Sequence, residues 1–513
     1  MSGPLTRSVV HGATWTGIAQ AMGQGFRLVA MIVLARLLVP EDFGVVAMAA
    51  VFTSLVSQII DLGFNQAIVQ RKEITPSHLS TTFWTSWAIG IAFCLVMVAI
   101  SPVVGMFFGN DSVGPVLAVL SLSFVITPLG SVHGALLRRK LEFFRFSIAE
   151  IGGAATYLAT SVPLAFAGLG IWSLVFGALA GDSAYVALRW VLYRWHPSLV
   201  FSRNSLKDLW RFGLNITGTK LVGFLATRLD YLIIGRFLTP AAVGFYNLGR
   251  RTADYPAHGL SLVVTRVTFP SFSSIQDDDE RLRRGFIKTV TFVSMIGLPL
   301  LVGLATVAPE LVRVVFGHNW ISAVSPMQIL CIAMGINMLS DPVMSLFWSK
   351  GRPDIDLKLS TARLALLVIG LLIGVQFGTA GVAFGVLGVS VVLWLAQQSL
   401  ANRLINLKMR DYLVAVRPAV VGSVIMALVL LAFRYSLASP LDLPYAVVLF
   451  SSVLLGVATY FAVLKMGRVR AFEEMIGLVL EMLRPYARVV MEKRLLIWKR
   501  ARRFVGVTPH ETG

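Results

Sequence analysis

The segment ARLLVPEDFG at residues 35–44 is repeated 200 positions later as GRFLTPAAVG at residues 235–244. The two copies share an arginine, a leucine, a proline and a glycine at the same places. Two further matches follow in the same order: PVVGMFFG from 102 with PELVRVVFG from 309, and GIWSLVFG from 170 with GVAFGVLG from 381. Similarity that recurs at a nearly fixed offset indicates an internal duplication. The sequence therefore predicts two related halves.

Composition places both halves in a membrane. The 513 residues are 56% hydrophobic and 14% charged, and their mean hydropathy is +0.76. A hydrocarbon core about 30 Å thick needs about 20 apolar residues per helix. Apolar runs of this kind predict fourteen crossings, near residues 13–37, 43–65, 80–108, 114–136, 146–167, 170–193, 211–238, 243–270, 287–316, 324–348, 358–376, 380–402, 412–434 and 444–465.

The loops between these crossings alternate between two classes. One class is rich in Lys and Arg: QRKEITPSH, LRRKLEFFR, YRWHPSLVFSRNSLKDLWR, IQDDDERLRRGFIK, SKGRPDIDLK and NRLINLKMRD. The other class, which includes VPED, TPAAV and SLASPLDLP, contains neither residue. Because short loops rich in Lys and Arg stay cytoplasmic, both termini are expected inside. Six crossings return each half to its starting side, so the repeats are parallel, and helices thirteen and fourteen lie outside the duplication.

These patterns divide the chain into five predicted parts. They are an N-terminal six-helix lobe (1–195), a cytoplasmic surface linker (196–210), a C-terminal six-helix lobe (211–405), helices thirteen and fourteen (406–465), and a basic, amphipathic cytoplasmic tail (466–513). The tail mixes apolar with basic residues and is expected to bind anionic lipids. The net charge of +19 brings no recognisable nucleic-acid-binding module with it, so nucleic acid is not expected as a partner.

One predicted crossing is unusually polar. The stretch LGRRTADYPAHGL, residues 248–260, lies between the outside loop TPAAV and the inside loop IQDDDERLRRGFIK, so it has to cross the membrane. Each ionised side chain there costs about 2.5–3.5 kcal/mol on insertion scales. On a helix the polar residues Asn247, Arg250, Arg251, Asp254, His258, Ser261 and Thr265 share one face. Two hundred residues earlier, the counterparts of the last four are Ser54, Gln58, Asp61 and Asn65 of the second crossing.

Polar faces on two related halves predict a shared, water-filled cleft. The residues expected to bind substrate there are Arg27, Lys220, Arg228, Arg250, Arg251 and Arg266. The polar residues expected beside them, as candidates for ion coupling, are Gln20, Gln24, Gln58, Asp61, Asp230, Asp254 and His258. Six basic groups face three acids, so the cleft is expected to attract an anion.

Structural roles compete with these assignments. Arg250 or Arg251 could form an ion pair with Asp254 that only fastens helices together. His258 could be a hydrogen-bonding core residue and not a proton relay. Arg36 and Arg236 are expected to be snorkelling anchors at outer helix ends and not ligands. Pro256 is expected to kink its helix, for gating or for curvature.

Several chemistries are not indicated. Cys94 and Cys331 both lie in apolar runs, which favours small core residues over a disulfide. The sequence has no phosphate-binding loop, no metal-ligand spacing and no nucleophile elbow, so we expect no catalytic residue, metal or cofactor. A membrane-embedded polymerase or glycosyltransferase is the enzymatic rival, but the predicted outside loops are too short for an external catalytic site.

Four segments resemble a known family: ARLLVPEDFGVVAMAAVF, DLGFNQAIVQRKEITPSHLSTTFW, LDYLIIGRFLTPAAVGFYNLGRR and FPSFSSIQDDDERLRRGF. They are similar to the Wzx-type lipopolysaccharide and exopolysaccharide (oligosaccharide) flippases, with a WzxC-like branch nearest. These belong to the multidrug/oligosaccharidyl-lipid/polysaccharide exporter superfamily. The resemblance covers about residues 10–420 and implies an all-α polytopic membrane protein of about 14 transmembrane helices. Its two parallel six-helix repeats would form a V-shaped pair of lobes, with two extra C-terminal helices.

The resemblance also implies a function. Such a protein moves an undecaprenyl-pyrophosphate-linked oligosaccharide across the bacterial inner membrane, and it would contact other polysaccharide assembly proteins. It is not an enzyme. The matched motifs are mostly topological, so the cavity charges rest on the helical-face argument. A multidrug cation antiporter of the same superfamily is the alternative, and it should line its cleft with acids. The sequence does not identify the glycan. It also leaves three energy sources open: the membrane potential, protons and sodium.

Overall fold

The computed structural model describes residues 4–60, 64–71, 73–203, 207, 227–438, 440–469, 471–475 and 477. Within these ranges the regular structure is helical throughout. Nine segments there are long and apolar enough to cross a membrane, and one of them, Pro353–Leu404, contains two helices.

The first half, which we call the N lobe, contains nine helices in its described part. They are α1 (Pro4–Leu37), α2 (Pro40–Ile60), α3 (Phe64–Gln70), α4 (Pro76–Phe108), α5 (Val113–Leu120), α6 (Ser123–Ile126), α7 (Ser131–Arg139), α8 (Phe143–Phe166) and α9 (Ile171–Leu192). Local chemistry sets the ends of α4. The Thr75 side chain accepts a hydrogen bond from the His78 backbone N–H, Pro76 takes the first helical position, and Gly109 closes the helix at a φ of 64°.

The predicted crossing near 114–136 is not one continuous helix. After α5 the chain turns, forms α6, and passes through a 3-10 turn at Thr127–Gly130 before α7 begins. Pro128 lies in that turn and has no N–H to continue an α-helical ladder. The crossing therefore consists of short helices joined end to end.

The second half, which we call the C lobe, continues the pattern. Its helices are α10 (described over 227–237), α11 (Pro240–Ser273), α12 (Asp279–Thr306), α13 (Ala308–Leu311), α14 (Val324–Ser349), α15 (Pro353–Gly374) and α16 (Gly378–Leu404), followed by the added helices α17 (Met409–Phe433) and α18 (Tyr445–Met466). Residues 211–226 of the predicted seventh crossing lie outside the described residues. The polar stretch 248–260 lies wholly within α11, as the loop pattern predicts.

The lobes meet at the two copies of the duplicated motif, where α2 and α11 begin. An added Cβ on Gly44 of α2 would stand 1.8 Å from the Pro240 carbonyl oxygen, and one on Gly244 of α11 would stand 2.1 Å from the Pro40 carbonyl oxygen. The contact is reciprocal, as expected for two repeats related by a twofold axis. Only glycine lets the two helix starts approach so closely.

A second set of contacts fastens the same end of the bundle. Arg36, at the end of α1, donates hydrogen bonds to the carbonyl oxygens of Val314 and Val315, the latter at 2.9 Å from Nε. These carbonyls belong to a π-helix at Val312–Phe316. Trp320 donates from its indole nitrogen to the Ala35 carbonyl oxygen at 2.7 Å. Arg36 therefore joins the two lobes through hydrogen bonds.

Only parts of the linker and the tail are described. From 197 to 202 the linker is not helical, and Ser198 contacts Ser80 and Trp84 of α4 through hydrogen bonds of 2.8 and 2.9 Å. The tail is described only up to residue 477, with gaps, so the expected lipid-binding cluster near its end lies outside the described residues. Arg434 and Glu310, 3.0 Å apart, join the end of α17 to the C lobe.

Candidate functional site

A cavity of about 270 Å³ lies between the two lobes. The N lobe contributes parts of α1, α2, α8 and α9, and the C lobe contributes α11 together with Trp320. Most of the lining is apolar, but Arg27 of α1 and Arg251 of α11 both line it, as do Tyr157 and Asn247. The structure thus brings together one predicted arginine from each half.

Neither of these two arginines is neutralised by an ion pair. Among the described residues, no carboxylate oxygen lies within 4.0 Å of the Arg27 or the Arg251 guanidinium. Arg251 donates from Nε to the Asn247 amide oxygen at 3.1 Å, and that oxygen also accepts from the Tyr231 hydroxyl at 3.2 Å. A neutral side chain therefore orients Arg251 while its charge remains available to the cavity.

Arg250, the next residue, is in a different environment. Its guanidinium forms an ion pair with Asp230 of α10, and its Nε lies 3.5 Å from an Asp254 carboxylate oxygen. The Arg250 side chain is 13% exposed and the Asp230 side chain is 4% exposed. The ion-pair alternative raised by the sequence therefore describes Arg250, with Asp230 as the more buried of its two partners.

Asp230 is fully coordinated by hydrogen bonds. One carboxylate oxygen accepts from the Tyr246 hydroxyl at 2.8 Å as well as from Arg250, and the other accepts from the Tyr231 backbone N–H at 3.0 Å. Arg363 of α15 lies within electrostatic range of Asp230 and Arg250. This buried network fixes α10 against α11.

A second cavity of about 300 Å³ lies inside the C lobe. Its polar and charged lining comes from Thr227, Arg228, Arg250, Asp254, His258, Ser261, Asn337 and Asp341. The guanidinium of Arg228 lies 5.5 Å from the centroid of the Tyr231 ring. Acids and bases are both present here, in contrast to the interlobe cavity.

The other predicted residues lie elsewhere or cannot be placed. Gln20 and Gln24 are exposed on α1, Gln58 is half-buried on α2 and Arg266 is exposed on α11, and none of these four lines either cavity. Lys220 and Asp61 lie outside the described residues.

The sequence prediction missed residues on other helices. Asp182 of α9 lies within electrostatic range of Arg27, Tyr157 of α8 stands beside Arg251, and Asp341 of α14 lines the C-lobe cavity. Each is a polar residue in a mainly apolar helix, which is the signal for a functional intramembrane position. Among the described residues, no three His, Cys, Asp or Glu side chains are placed to hold a metal ion.

The interlobe cavity can bind an oxyanion. A guanidinium presents a planar fork of donors that matches phosphate or carboxylate oxygens, and its hydrogen bonds are strengthened by charge. Two such groups line the cavity, one from each lobe. The surrounding apolar lining reduces the competition from water.

The fold defines the class of protein. It matches the lipid II flippase MurJ in an inward closed conformation, with a TM-score of 0.72 and 14% identity over 91% of this chain and 100% of that chain. It also matches the inward-facing conformation of a multidrug resistance MATE family transporter of the MOP superfamily, with a TM-score of 0.56 and 18% identity over 74% and 94% of the two chains. The fold class predicted from the sequence is confirmed: a polytopic, all-helical transporter fold built from two parallel repeats.

Sequence comparison defines the family. The pattern of the family described as "Polysaccharide biosynthesis protein" matches residues 33–325. The chain is 33% identical to the lipopolysaccharide biosynthesis protein WzxC of Escherichia coli strain K12 over 396 residues, covering 76% of this chain and 80% of that protein. It is 28% identical to the teichuronic acid biosynthesis protein TuaB of Bacillus subtilis strain 168, covering 85% and 90%. The chain belongs to this polysaccharide biosynthesis family of Wzx-like flippases, so it is a membrane transporter and not an enzyme.

Proposed function

We propose that the protein is a flippase that moves an undecaprenyl-pyrophosphate-linked oligosaccharide from the cytoplasmic to the periplasmic leaflet of the bacterial inner membrane. One observation carries the proposal: Arg27 and Arg251 line a single cavity between the lobes, and no described carboxylate is within ion-pair distance of either. A further relative, the probable low-salt glycan biosynthesis flippase Agl15 of Haloferax volcanii, is 21% identical over 376 residues.

The main barrier to flipping is removal of water from a multiply charged diphosphate. In the proposed mechanism Arg27 and Arg251 bind the diphosphate oxygens and offset that cost. The glycan occupies the wetted space between the lobes, and the lipid tail stays in the bilayer. The Asp230–Arg250–Asp254 network acts as a brace that fixes the face of α11 carrying Arg251. Arg228, Lys220 and Arg266 remain proposed contacts for the phosphate or for the first sugars.

The orientation is part of the proposal. Both termini are placed in the cytoplasm, so the close contact between α2 and α11 lies on the periplasmic side. The basic tail is placed on the anionic cytoplasmic leaflet, near other polysaccharide assembly proteins. In the proposed rocking motion this contact forms when the cavity is closed to the periplasm and separates when the cavity opens outward.

Rocking predicts a specific effect at Gly44. In Gly44→Ala the new Cβ stands 1.8 Å from the Pro240 carbonyl oxygen, so the helix starts must separate. Overpacking costs about 1–3 kcal/mol, roughly a 5- to 150-fold change in population. We expect the free energy of the form closed to the periplasm to rise by this amount relative to the open form, so that the open form becomes more populated. The measurement is the rate at which a membrane-impermeant maleimide, added outside intact cells, modifies Ala50→Cys in the cavity wall.

A matched control exists on α16. An added Cβ on Gly388 meets nothing within 4 Å, so Gly388→Ala should leave the maleimide rate unchanged. An equal rate in the Gly44→Ala and parent proteins would contradict a periplasmic closure formed by α2 and α11.

Transport itself is tested in a bacterial strain whose own flippase for a known lipid-linked glycan has been deleted. We expect expression of this chain to restore the glycan in the outer leaflet with the mass of the lipid-linked donor unchanged. A covalent change in that mass would favour the enzymatic alternative. If the chain is present at normal levels and transfers none of several lipid-linked donors, the result would count against the proposed function.

The MATE likeness supports a second candidate, a multidrug antiporter for organic cations. Such a transporter needs acids where the cation binds. Among the described residues, two arginines and no carboxylate line the interlobe cavity, so the lining does not offer a cation the acids it needs. Drug-resistance assays with cationic dyes are therefore expected to show no protection by this chain.

A further inference from the structure

Asp341 is an intramembrane acid that anion binding does not use. It lies on α14 and lines the C-lobe cavity, where one of its carboxylate oxygens accepts a hydrogen bond from the Ser261 hydroxyl of α11. His258, one turn before Ser261, lines the same cavity and lies within electrostatic range of Asp341. Acids at such positions mark ion or proton pathways.

The charges around this cavity separate Asp341 from the other acids. The titratable and charged groups that line it are Arg228 of α10, Arg250, Asp254 and His258 of α11, and Asp341 of α14. Arg250 is engaged by Asp230 and Asp254. In the described part of the chain, no Arg or Lys nitrogen lies within 4.0 Å of Asp341. Its neighbours are a neutral hydroxyl and an imidazole.

Because Asp230 and Asp254 pair with Arg250 and Asp341 contacts neutral groups, the three acids differ in the free energy that protonation costs. Protonation of Asp230 or Asp254 would weaken an ion pair with Arg250. Among the described residues, protonation of Asp341 breaks no ion pair, and the Ser261 hydroxyl can turn to accept the new O–H. An imidazole has one nitrogen that can accept a proton and one that can donate a proton, so His258 can pass a proton between Asp341 and cavity water.

The positions of His258 and Asp341 also suit a link between proton binding and movement of α11. α11 and α14 run in the same direction, and His258 and Asp341 both lie roughly 26 Å from the starts of their helices at 1.5 Å per residue. The pair therefore bridges two C-lobe helices at one depth. α11 also carries Arg251 into the interlobe cavity, so a shift of α11 relative to α14 acts on both sites.

We propose that Asp341, with Ser261 and His258, forms a proton-binding site whose occupancy sets the balance between the inward-open and outward-open states. The site binds one proton from periplasmic water when the cavity faces out and releases it to the cytoplasm when the cavity faces in. One O–H bond forms and the same bond later breaks, so no other reactant is needed. Proton entry then drives export of the lipid-linked glycan, and in this respect the inference rests on the proposed function.

The test measures conformation without any lipid-linked glycan. Spin labels are placed at Arg145→Cys of α8 and Arg284→Cys of α12, both exposed at the ends of the bundle assigned to the cytoplasm. The native cysteines Cys94 and Cys331 are buried, so labelling is selective. Pulsed electron paramagnetic resonance on the full chain in nanodiscs then gives the distance distribution at about pH 5.5 and about pH 8.

We expect two distances whose populations redistribute between these pH values. Asp341→Asn should hold the acidic distribution at both pH values, and Asp341→Glu should restore the redistribution. Asp254→Asn should still respond to pH. The proposal is overturned if Asp341→Asn responds like the parent chain, if the parent does not respond, or if Asp254→Asn is the variant that loses the response.

Infrared spectroscopy gives a readout that a structural role would not change. The difference spectrum between the acidic and basic forms of the parent should contain a carboxylic-acid C=O band that is missing in Asp341→Asn. Persistence of the full band in a folded Asp341→Asn protein would overturn the proposal. Because neither measurement uses the glycan, loss of pH response with intact flipping removes only this inference, and loss of flipping with intact pH response removes only the proposed function.

Discussion

Replacement of Arg251 with Gln is expected to slow the appearance of lipid-linked glycan in the outer leaflet by about 10- to 100-fold while leaving protein abundance unchanged. Arg251 lines the interlobe cavity and is held by the neutral Asn247 amide. Its removal leaves no buried carboxylate uncompensated, so the fold should tolerate it. The loss corresponds to about 1.5–3 kcal/mol, the usual contribution of a hydrogen bond to a charged group. The measurement is outer-leaflet labelling in the complemented deletion strain.

Arg145→Gln is the matched control, because it also removes one positive charge. Arg145 pairs with Glu142 on the exposed end of α8, far from the cavity lining, with a side chain that is 53% exposed. Such surface pairs contribute little. Equal transfer rates for Arg251→Gln and Arg145→Gln would remove Arg251 from the mechanism.

The second large effect is expected at Arg250, and it should be a loss of stability. Arg250→Gln leaves Asp230 buried without its cation, and breaking a buried ion pair from one side costs about 3–5 kcal/mol. We expect a lowered unfolding midpoint for the purified protein in detergent, and lower abundance in cells. Transfer per folded molecule should fall much less than in Arg251→Gln.

A paired variant separates charge compensation from other causes. Asp230→Asn combined with Arg250→Gln removes both charges and should recover much of the lost stability, because no uncompensated buried charge remains. If the double variant is as unstable as the sum of the two single variants, the ion pair is not the source of the effect.

The sequence predicted the helices better than the contacts between them. Apolar runs and loop charge depend on neighbours along the chain, and they located α4, α11 and α18 to within a few residues of their observed bounds. The helical-face argument grouped Arg250 and Arg251 on one polar side of α11. It could not tell that Arg251 would line a cavity and that Arg250 would be paired with Asp230, because that depends on how α10 packs against α11.

The acids on α9 and α14 were missed for a related reason. Asp182 is the only acid in α9, and Asp341 is the only charged residue in α14. The sequence search stayed on the four helices with polar stripes. The sequence also could not show the role of Gly44, because that role depends on its close approach to the Pro240 carbonyl oxygen in the other half of the chain. Such contacts between distant segments require the folded structure.

The account depends most on Arg27 and Arg251, which line the interlobe cavity from the two lobes. The direct measurement uses purified protein in liposomes that carry a fluorescent, diphosphate-linked oligosaccharide lipid, with an external quencher to report transfer between leaflets. We predict rapid transfer by the parent chain and, for folded Arg27→Gln/Arg251→Gln protein, transfer no faster than in protein-free liposomes. Transfer by that double variant at the parent rate would contradict the account.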